Sequence, residues 1–320
     1  MTTVDDIYKF IDEIAPFNTA MDFDNCGLLV GGKDNIVNKV LLSLDITREV
    51  VEEANNIGAN LIISHHPVIF NPIKRIESKS ALHLLCKSDI SAICAHTNLD
   101  MAKEGVNYSL AKRIGLVNLL PLSIYKSIDL IKINIKLSEG EKEYIKDELK
   151  KSGVVEVHDE GEGEIDVLCL PTKINDVIKV IKDIHEVHLD KEDISLGLVG
   201  KLENDMNTNE FLAHLKERLS CEGLRYIDID KKIRKVAVCS GSGGNLINAA
   251  KEAGADAFVT GEIKHHEILF AKENGILVVD AGHYKTEDVV IEPLIDLLSS
   301  RFREVTFCKS EVFNDGIKYY

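Results

Sequence analysis

The chain has 320 residues, 45% of them hydrophobic, enough to bury the cores of two domains or of one large α/β domain carrying an insertion. Its 53 acidic residues against 38 basic ones leave a formal net charge of −15, which disfavours nucleic-acid binding and leaves only local basic patches for that role. No apolar run approaches the roughly 18 residues of a membrane span, the start MTTVDDIYKFIDEI lacks a signal peptide's basic and apolar regions, and the seven scattered cysteines form no C-x-x-C pair, so a cytoplasmic protein with reduced core thiols is expected.

Thr3 predicts a cap for a helix through about Ile14, stopped by Pro16. The acidic and amide run Asp22 to Asn25 reads as a solvated turn, followed by an apolar strand and the Gly31-Gly32 turn. Val40 to Asp45 reads as a buried strand, Thr47 caps a helix closed by Gly58, and Leu61 to His66 is the next strand, a β-α-β unit. Pro67 donates no N–H and ends that strand, so His65 and His66 sit where side chains can diverge from the sheet. By themselves they are either ordinary strand-end histidines or donors to two neighbouring metal ions. A second unit repeats the pattern: helix Ser80 to Lys87, strand Ile90 to Ala95, then His96 to Asp100. In open α/β sheets ligands collect at such carboxyl ends.

An amphipathic helix from about Gly105 to Ile114 leads to Pro121, after which the composition shifts towards Lys, Glu and Asp. The following segment reads as strand Leu130 to Leu137, helix Glu141 to Lys151, strand Val154 to Val157, an acidic hairpin loop from Glu156 to Asp166, strand Ile165 to Leu170, helix Asn175 to Ile184 and strand Glu186 to Leu189. That βαββαβ order predicts a ferredoxin-like module over 126–194, inserted into a core of 1–125 plus 195–320. The core pattern resumes at Leu196, with Thr208 capping a helix through Leu219. Strand Val236 to Cys239 then enters Ser240-Gly241-Ser242-Gly243-Gly244-Asn245, a glycine-rich turn whose backbone N–H groups could present themselves to a phosphate, although it matches neither dinucleotide nor Walker patterns. Strand Ala257 to Thr260 precedes a helix opened by Gly261 to Glu267, which contains His265 and His266. Strand Ile276 to Asp280 precedes His283 and Glu287, four apart and therefore on one helix face.

Three strand ends thus carry His65 and His66, His96 and Asp100, and His283 and Glu287. Imidazoles with carboxylates in this number suggest two metal ions rather than one, and two-metal hydrolysis as the chemistry. The segments DFDNCGLLVG, ISHHPVIF, AHTNLD, TGEIKHHE and AGHYKTE, in this order, resemble the GTP cyclohydrolase 1 type 2 homologue family, the Nif-three-like dinuclear metal proteins. The resemblance implies an α/β core with a two-metal site and a toroidal homohexamer. It implies His65, His66, Asp100, His283 and Glu287 as ligands, Glu287 bridging the ions, with His96 and His266 lining the site as proton carriers. Longer members carry an insert resembling PII-like or CutA-like trimeric proteins; 126–194 occupies that place but matches the glycine- and histidine-rich insert motifs poorly, which makes it a spacer or a lid.

Two functions follow as expectations. One is a divalent-metal hydrolase acting on GTP or another nucleotide, with the Ser240, Gly241, Ser242 and Gly243 turn on phosphate. The other is a non-catalytic, metal-binding ring that serves as scaffold or regulator, since metal binding can simply stabilise a fold. The donor set accepts zinc, iron, manganese or nickel.

Overall fold

The computed structural model describes residues 1–152, 154–161, 163–181 and 184–320. The chain divides into two compact units, Met1–Ser123 with Ser195–Tyr320, and Ile124–Ile194.

The first unit is built on two sheets. In one, the strands run Gly27–Val30, Ser91–Cys94, Leu61–Ser64, Lys39–Ser43 and Thr306–Lys309, all parallel except the first. Alternation of side chains along these strands explains their continuous apolar runs. Val40, Leu42, Leu61, Ile63 and Ile93 enter one core with the helices Val4–Ile14 and Ile291–Arg301, whereas Leu41, Ile62 and Ala92 enter another with Arg48–Ile57. The second sheet repeats the scheme: Lys232–Cys239, Ala257–Thr260 and Leu277–Asp280 are parallel, and the end of the long strand Ile184–Asn207 joins antiparallel. Val236, Val238, Val259 and Val279 fill one side, and Ala237, Phe258 and Val278 the other.

Helix punctuation follows the sequence closely. Thr3 closes a capping box on Asp6, Thr47 caps Arg48–Ile57, and Gly58 takes φ 72° to end it. One cap differs: Asn207, not Thr208, caps Thr208–Arg218, because its side chain accepts from Glu210 N while Thr208 donates to Ile229 O.

The second unit has the order strand, helix, strand, strand, helix, strand: the end of Val117–Lys136, Glu139–Lys151, Glu156–Gly161, Glu164–Cys169, Ile174–Val180 and the start of Ile184–Asn207. Its core is Ile133, Ile135, Leu149, Ile165, Val167 and Val177. Two expectations change. The strand entering this unit begins at Val117 and runs through Pro121, and the acidic run is strand rather than loop on both sides of Glu162, which itself lies outside the described residues. Asp159 stands opposite Ile165 and meets Lys142 and Lys146 of the helix Glu139–Lys151, while Asp166, on the other face, is buried against Lys132 and Asn134. The helix expected over Asn175 to Ile184 is shorter: it ends at Val180, where Ile181 turns extended, and Ile184 already opens the next strand; residues 182 and 183 lie outside the described ones. No described helix is long and apolar enough to cross a membrane. The seven cysteines are all free thiols; Cys94, Cys169, Cys221 and Cys239 are buried, and Cys86 is exposed.

Candidate metal centre

The strand register sets the site. Ser43, Ser64 and Cys94 end level with one another in the first sheet, and Cys239, Thr260 and Asp280 do so in the second. The loops leaving these carboxyl ends bring four imidazoles together. Ring centroids lie 5.0 Å apart for His65 and His66, 5.0 Å for His65 and His96, 5.3 Å for His66 and His96, and 5.4 Å for His66 and His283.

Each of these four rings has its Nδ1 on an oxygen. His65 Nδ1 donates to Ala95 O at 2.9 Å, and since a carbonyl only accepts, the proton is on that nitrogen. His66 Nδ1 faces Asp45 Oδ2 at 2.9 Å, His96 Nδ1 faces Asp24 Oδ1 at 2.9 Å, and His283 Nδ1 faces Glu262 Oε1 at 2.8 Å. All four Nε2 atoms are thereby left for the interior of the site, the arrangement in which metal-ligating histidines are oriented by an acceptor behind the ring.

Glu287 stands among them, buried at 3% exposure. Its Oε1 is 3.0 Å from His283 Nε2 and 3.8 Å from His65 Nε2, and its Oε2 is 3.1 Å from His66 Nε2. Asp100 Oδ1 is 3.6 Å from His65 Nε2 and accepts from Ser240 Oγ at 3.3 Å. Asn107 ties the two segments, donating to Asp100 O and accepting from Ser240 N. Candidate donor atoms of His65, His66 and His96, and separately of His66, His283 and Glu287, lie within 4.8 Å of one another.

The electrostatics fit a cation. Burial works hardest against the charge of Glu287, but His65, His283 and His66 outweigh it and hold its carboxyl well below the usual range. Burial likewise opposes an imidazolium at His66, yet Asp45 and Glu287 push it up to about 10; His283, hydrogen-bonded to Glu287, rises to about 9. Burial raises Asp100 despite His65 beside it. His65 Nε2 and Glu287 Oε2 are buried and make no hydrogen bond, although Oε2 is within ion-pair distance of His66. A buried polar atom without a partner is costly, and divalent cations would satisfy both. The residues present therefore suit metal ions.

Asp24 is the largest departure from the sequence reading. Its side chain is fully buried, accepting from Asn25 N, Thr97 N, Thr97 Oγ1 and Cys26 Sγ as well as from His96. Against the burial penalty, those donors hold its carboxyl far below the ordinary range. Sequence reasoning missed it, with Asp45 and Glu262, because carboxylates beside turns are usually solvated. The available signal was position, for Asp45 and Glu262 both follow buried strands that feed the site.

Three amides of the glycine-rich turn are engaged within the chain: Ser240 N with Asn107, Gly241 N with Thr286 Oγ1, and Gly243 N with Thr260 Oγ1. Ser242 is exposed. Gly241 takes φ 57°, and a Cβ there would stand 2.3 Å from Glu287 Oε1. Gly241→Ala is expected to displace that carboxylate and weaken metal binding by roughly 10- to 100-fold with the fold retained, as read by metal titration alongside circular dichroism. His266 does not join the cluster. Its side chain is 78% exposed on helix His265–Asn274, and its Nε2 reaches only Glu267, at 3.9 Å.

Fold and site together define an α/β protein in which the parallel strands of two mixed sheets direct histidines and carboxylates into one candidate metal centre. The chain belongs to the Duf34/NIF3 (NGG1p interacting factor 3) family, whose sequence profile matches residues 2–316. A Staphylococcus aureus protein named GTP cyclohydrolase 1 type 2 homolog is 33% identical over 342 aligned residues, covering 93% of each chain. A Staphylococcus epidermidis protein of the same name is 31% identical over 365 aligned residues, covering 99% of each. Among solved structures, a Bacillus cereus protein related to NIF3 superposes with a TM-score of 0.82 at 29% identity, covering 100% of this chain and 99% of that one.

Proposed function

We propose that this protein is a divalent-metal hydrolase acting on a nucleotide or a related small molecule. The observation that carries the reading is the orientation of four imidazoles, each with Nδ1 held by an oxygen and Nε2 turned into one cluster with Asp100 and Glu287. His65 and Asp100 would hold one ion, His66 and His283 the other, and Glu287 would be shared. Two bound divalent ions supply a water of lowered pKa and a clamp on the leaving oxygen.

The chain's own residues complete the chemistry. Asp24 keeps His96 in the tautomer that offers an unprotonated Nε2, so His96 can take a proton from the attacking water and return it to the leaving group. Glu262 and Asp45 stabilise the orientation of His283 and His66 in the same way. Ser240 keeps Asp100 in place rather than binding substrate. The nucleotide class rests on the name of the relatives, GTP cyclohydrolase 1 type 2 homolog.

Two further features belong to this reading. The sheet order in the Ile124–Ile194 unit, with Glu164–Cys169 between Glu156–Gly161 and Ile131 to Lys136, supports a ferredoxin-like insert. A toroidal homohexamer is the assembly we propose, and solution mass measurement tests it.

The deciding experiment assays metal-loaded protein with GTP, following purine absorbance and phosphate release separately. Turnover that chelation abolishes and that His96→Ala lowers by about 100-fold or more supports the reading. Protein carrying two ions per chain that turns over neither GTP nor other nucleotides refutes it.

A further inference from the structure

Two aromatic side chains outside the metal centre are left in water. Phe23 is 62% exposed and Phe70 is 46% exposed, yet their rings touch, with centroids 6.3 Å apart and planes 47° from parallel. Both are rooted on segments that also build the centre. Phe23 immediately precedes Asp24, the acceptor behind His96, and Phe70 follows His66 by four residues, at most about 14 Å of extended chain.

The two segments are fixed to each other and to the sheet. Asn25 Nδ2 donates to Ile69 O at 2.6 Å, joining the residue two after Phe23 to the one before Phe70. Asp24 is locked by its five donors, and Met21 N donates to Thr97 Oγ1. The backbone that presents Phe23 is therefore rigid, while its ring remains exposed. The named lining of the centre is histidine, carboxylate, serine and glycine, so nothing in it supplies an apolar surface for a substrate's body.

We infer that Phe23 and Phe70 form an aromatic platform at the edge of the candidate centre, which stacks the flat heteroaromatic ring of the substrate while its reacting group lies at the histidines. This names the substrate class, a molecule with a nucleobase-like ring, and it rests on the hydrolase reading for the reaction but not for the binding. Stacking on an aromatic side chain contributes by dispersion and burial and tolerates different rings. The occupant is a small ring rather than a second copy of the chain because the pair is continuous with the centre through Asp24 and His66. Ile73 and Ile76, also exposed on the segment after Phe70, make a second copy the rival outcome.

The test uses the full chain, loaded with metal. The protein has no tryptophan, so Phe23→Trp introduces a single tryptophan at the platform, excited selectively at about 295 nm, away from the tyrosines. Guanosine and adenosine monophosphates are expected to change its emission saturably, ribose 5-phosphate is not, and adding Phe70→Ala should weaken the binding by roughly 5- to 100-fold with metal content unchanged. Equilibrium dialysis of the parent and of Phe23→Ala checks that the tryptophan has not created the site. Absence of saturable binding of either nucleotide to the parent overturns the platform, as does a Phe70→Ala variant that changes the solution mass and leaves nucleotide affinity intact. Ring binding without turnover would reject the hydrolase reading and leave the platform standing; metal-dependent turnover of a nucleotide with unchanged KM in Phe23→Ala and Phe70→Ala would do the reverse.

Discussion

Glu287→Gln is expected to lower metal content from about two ions per chain to less than about half an ion after dialysis, while His266→Ala leaves it unchanged. The amide keeps the shape of the carboxylate, so the outcome depends on charge and donor pattern. Glu287 is within 3.8 Å of the Nε2 atoms of three histidines, one of them fully buried, and among the described residues is the one carboxylate that reaches both His65 on one side and His66 and His283 on the other. Glutamine offers one acceptor oxygen, and its NH₂ group is repelled by an ion or an imidazolium and occupies, by donating, an imidazole nitrogen that an ion needs free. Changes to the residues behind metal ligands already cost 10- to 100-fold in affinity, so if Glu287 is shared as proposed, its loss should cost at least about 100-fold for both ions. The variant should fold, because Thr286 beside it keeps its bonds to Gly241 N, Gly282 O and His283 O. Elemental analysis of parent and variant purified side by side decides the matter. Two ions retained in Glu287→Gln would remove Glu287 from the ligand set, and loss of metal in His266→Ala would show that the exposed position of His266 misrepresents its role.

What could be read in the sequence was what local physics determines. The strands with continuous apolar runs, such as Leu61–Ser64 and Ala257–Thr260, are buried on both faces, so composition alone marks them. The caps at Thr3 and Thr47 and the left-handed glycine at 58 mark helix ends for equally local reasons. His65, His66, His96 and His283 were visible as polar groups at the ends of those strands. The supporting layer was not visible, because it depends on contacts between distant segments. Asp24 and His96 are 72 residues apart, Glu262 and His283 come from different connections, and Asn107 meets Ser240 across 133 residues. The glycine-rich turn shows the limit from the other side. Its sequence is what an anion-binding turn looks like, but the hydroxyls and amide that take three of its N–H groups come from Asn107, Thr260 and Thr286, and no local pattern reveals that.

Protons and metal ions compete for the same nitrogens, so the stability of the metal-free and metal-loaded proteins should respond to pH in opposite senses. In the metal-free protein His66 is pushed up to about 10 and His283 to about 9, against an ordinary value near 6.5. A group whose pKa is higher in the folded state binds more protons there; its stabilisation is complete below about 6.5 and is lost as pH rises through 9 and then 10. The share of His283 is smaller than its shift suggests, because its side chain is 35% exposed and solvent screens it. Glu287 acts at the other end: its lowered carboxyl stabilises the fold above about 4.5, and that contribution disappears as acid protonates it. The metal-free protein should therefore be most stable between about pH 5 and 6.5, with Tm falling by several degrees, roughly 5 °C, by pH 9. Metal uptake must expel the protons on His66 and His283, so at pH 7 loading should release about two protons per chain, and affinity should climb as pH rises towards 9. The loaded protein gains stability from that tighter binding, so the Tm difference between loaded and chelated samples should widen from pH 6 to pH 9. Calorimetric titration in two buffers of different ionisation enthalpy measures the protons, and thermal melts across the pH series measure the widening. Proton release near zero with parallel melting curves would mean that the ions, if bound, are not held by His66 and His283.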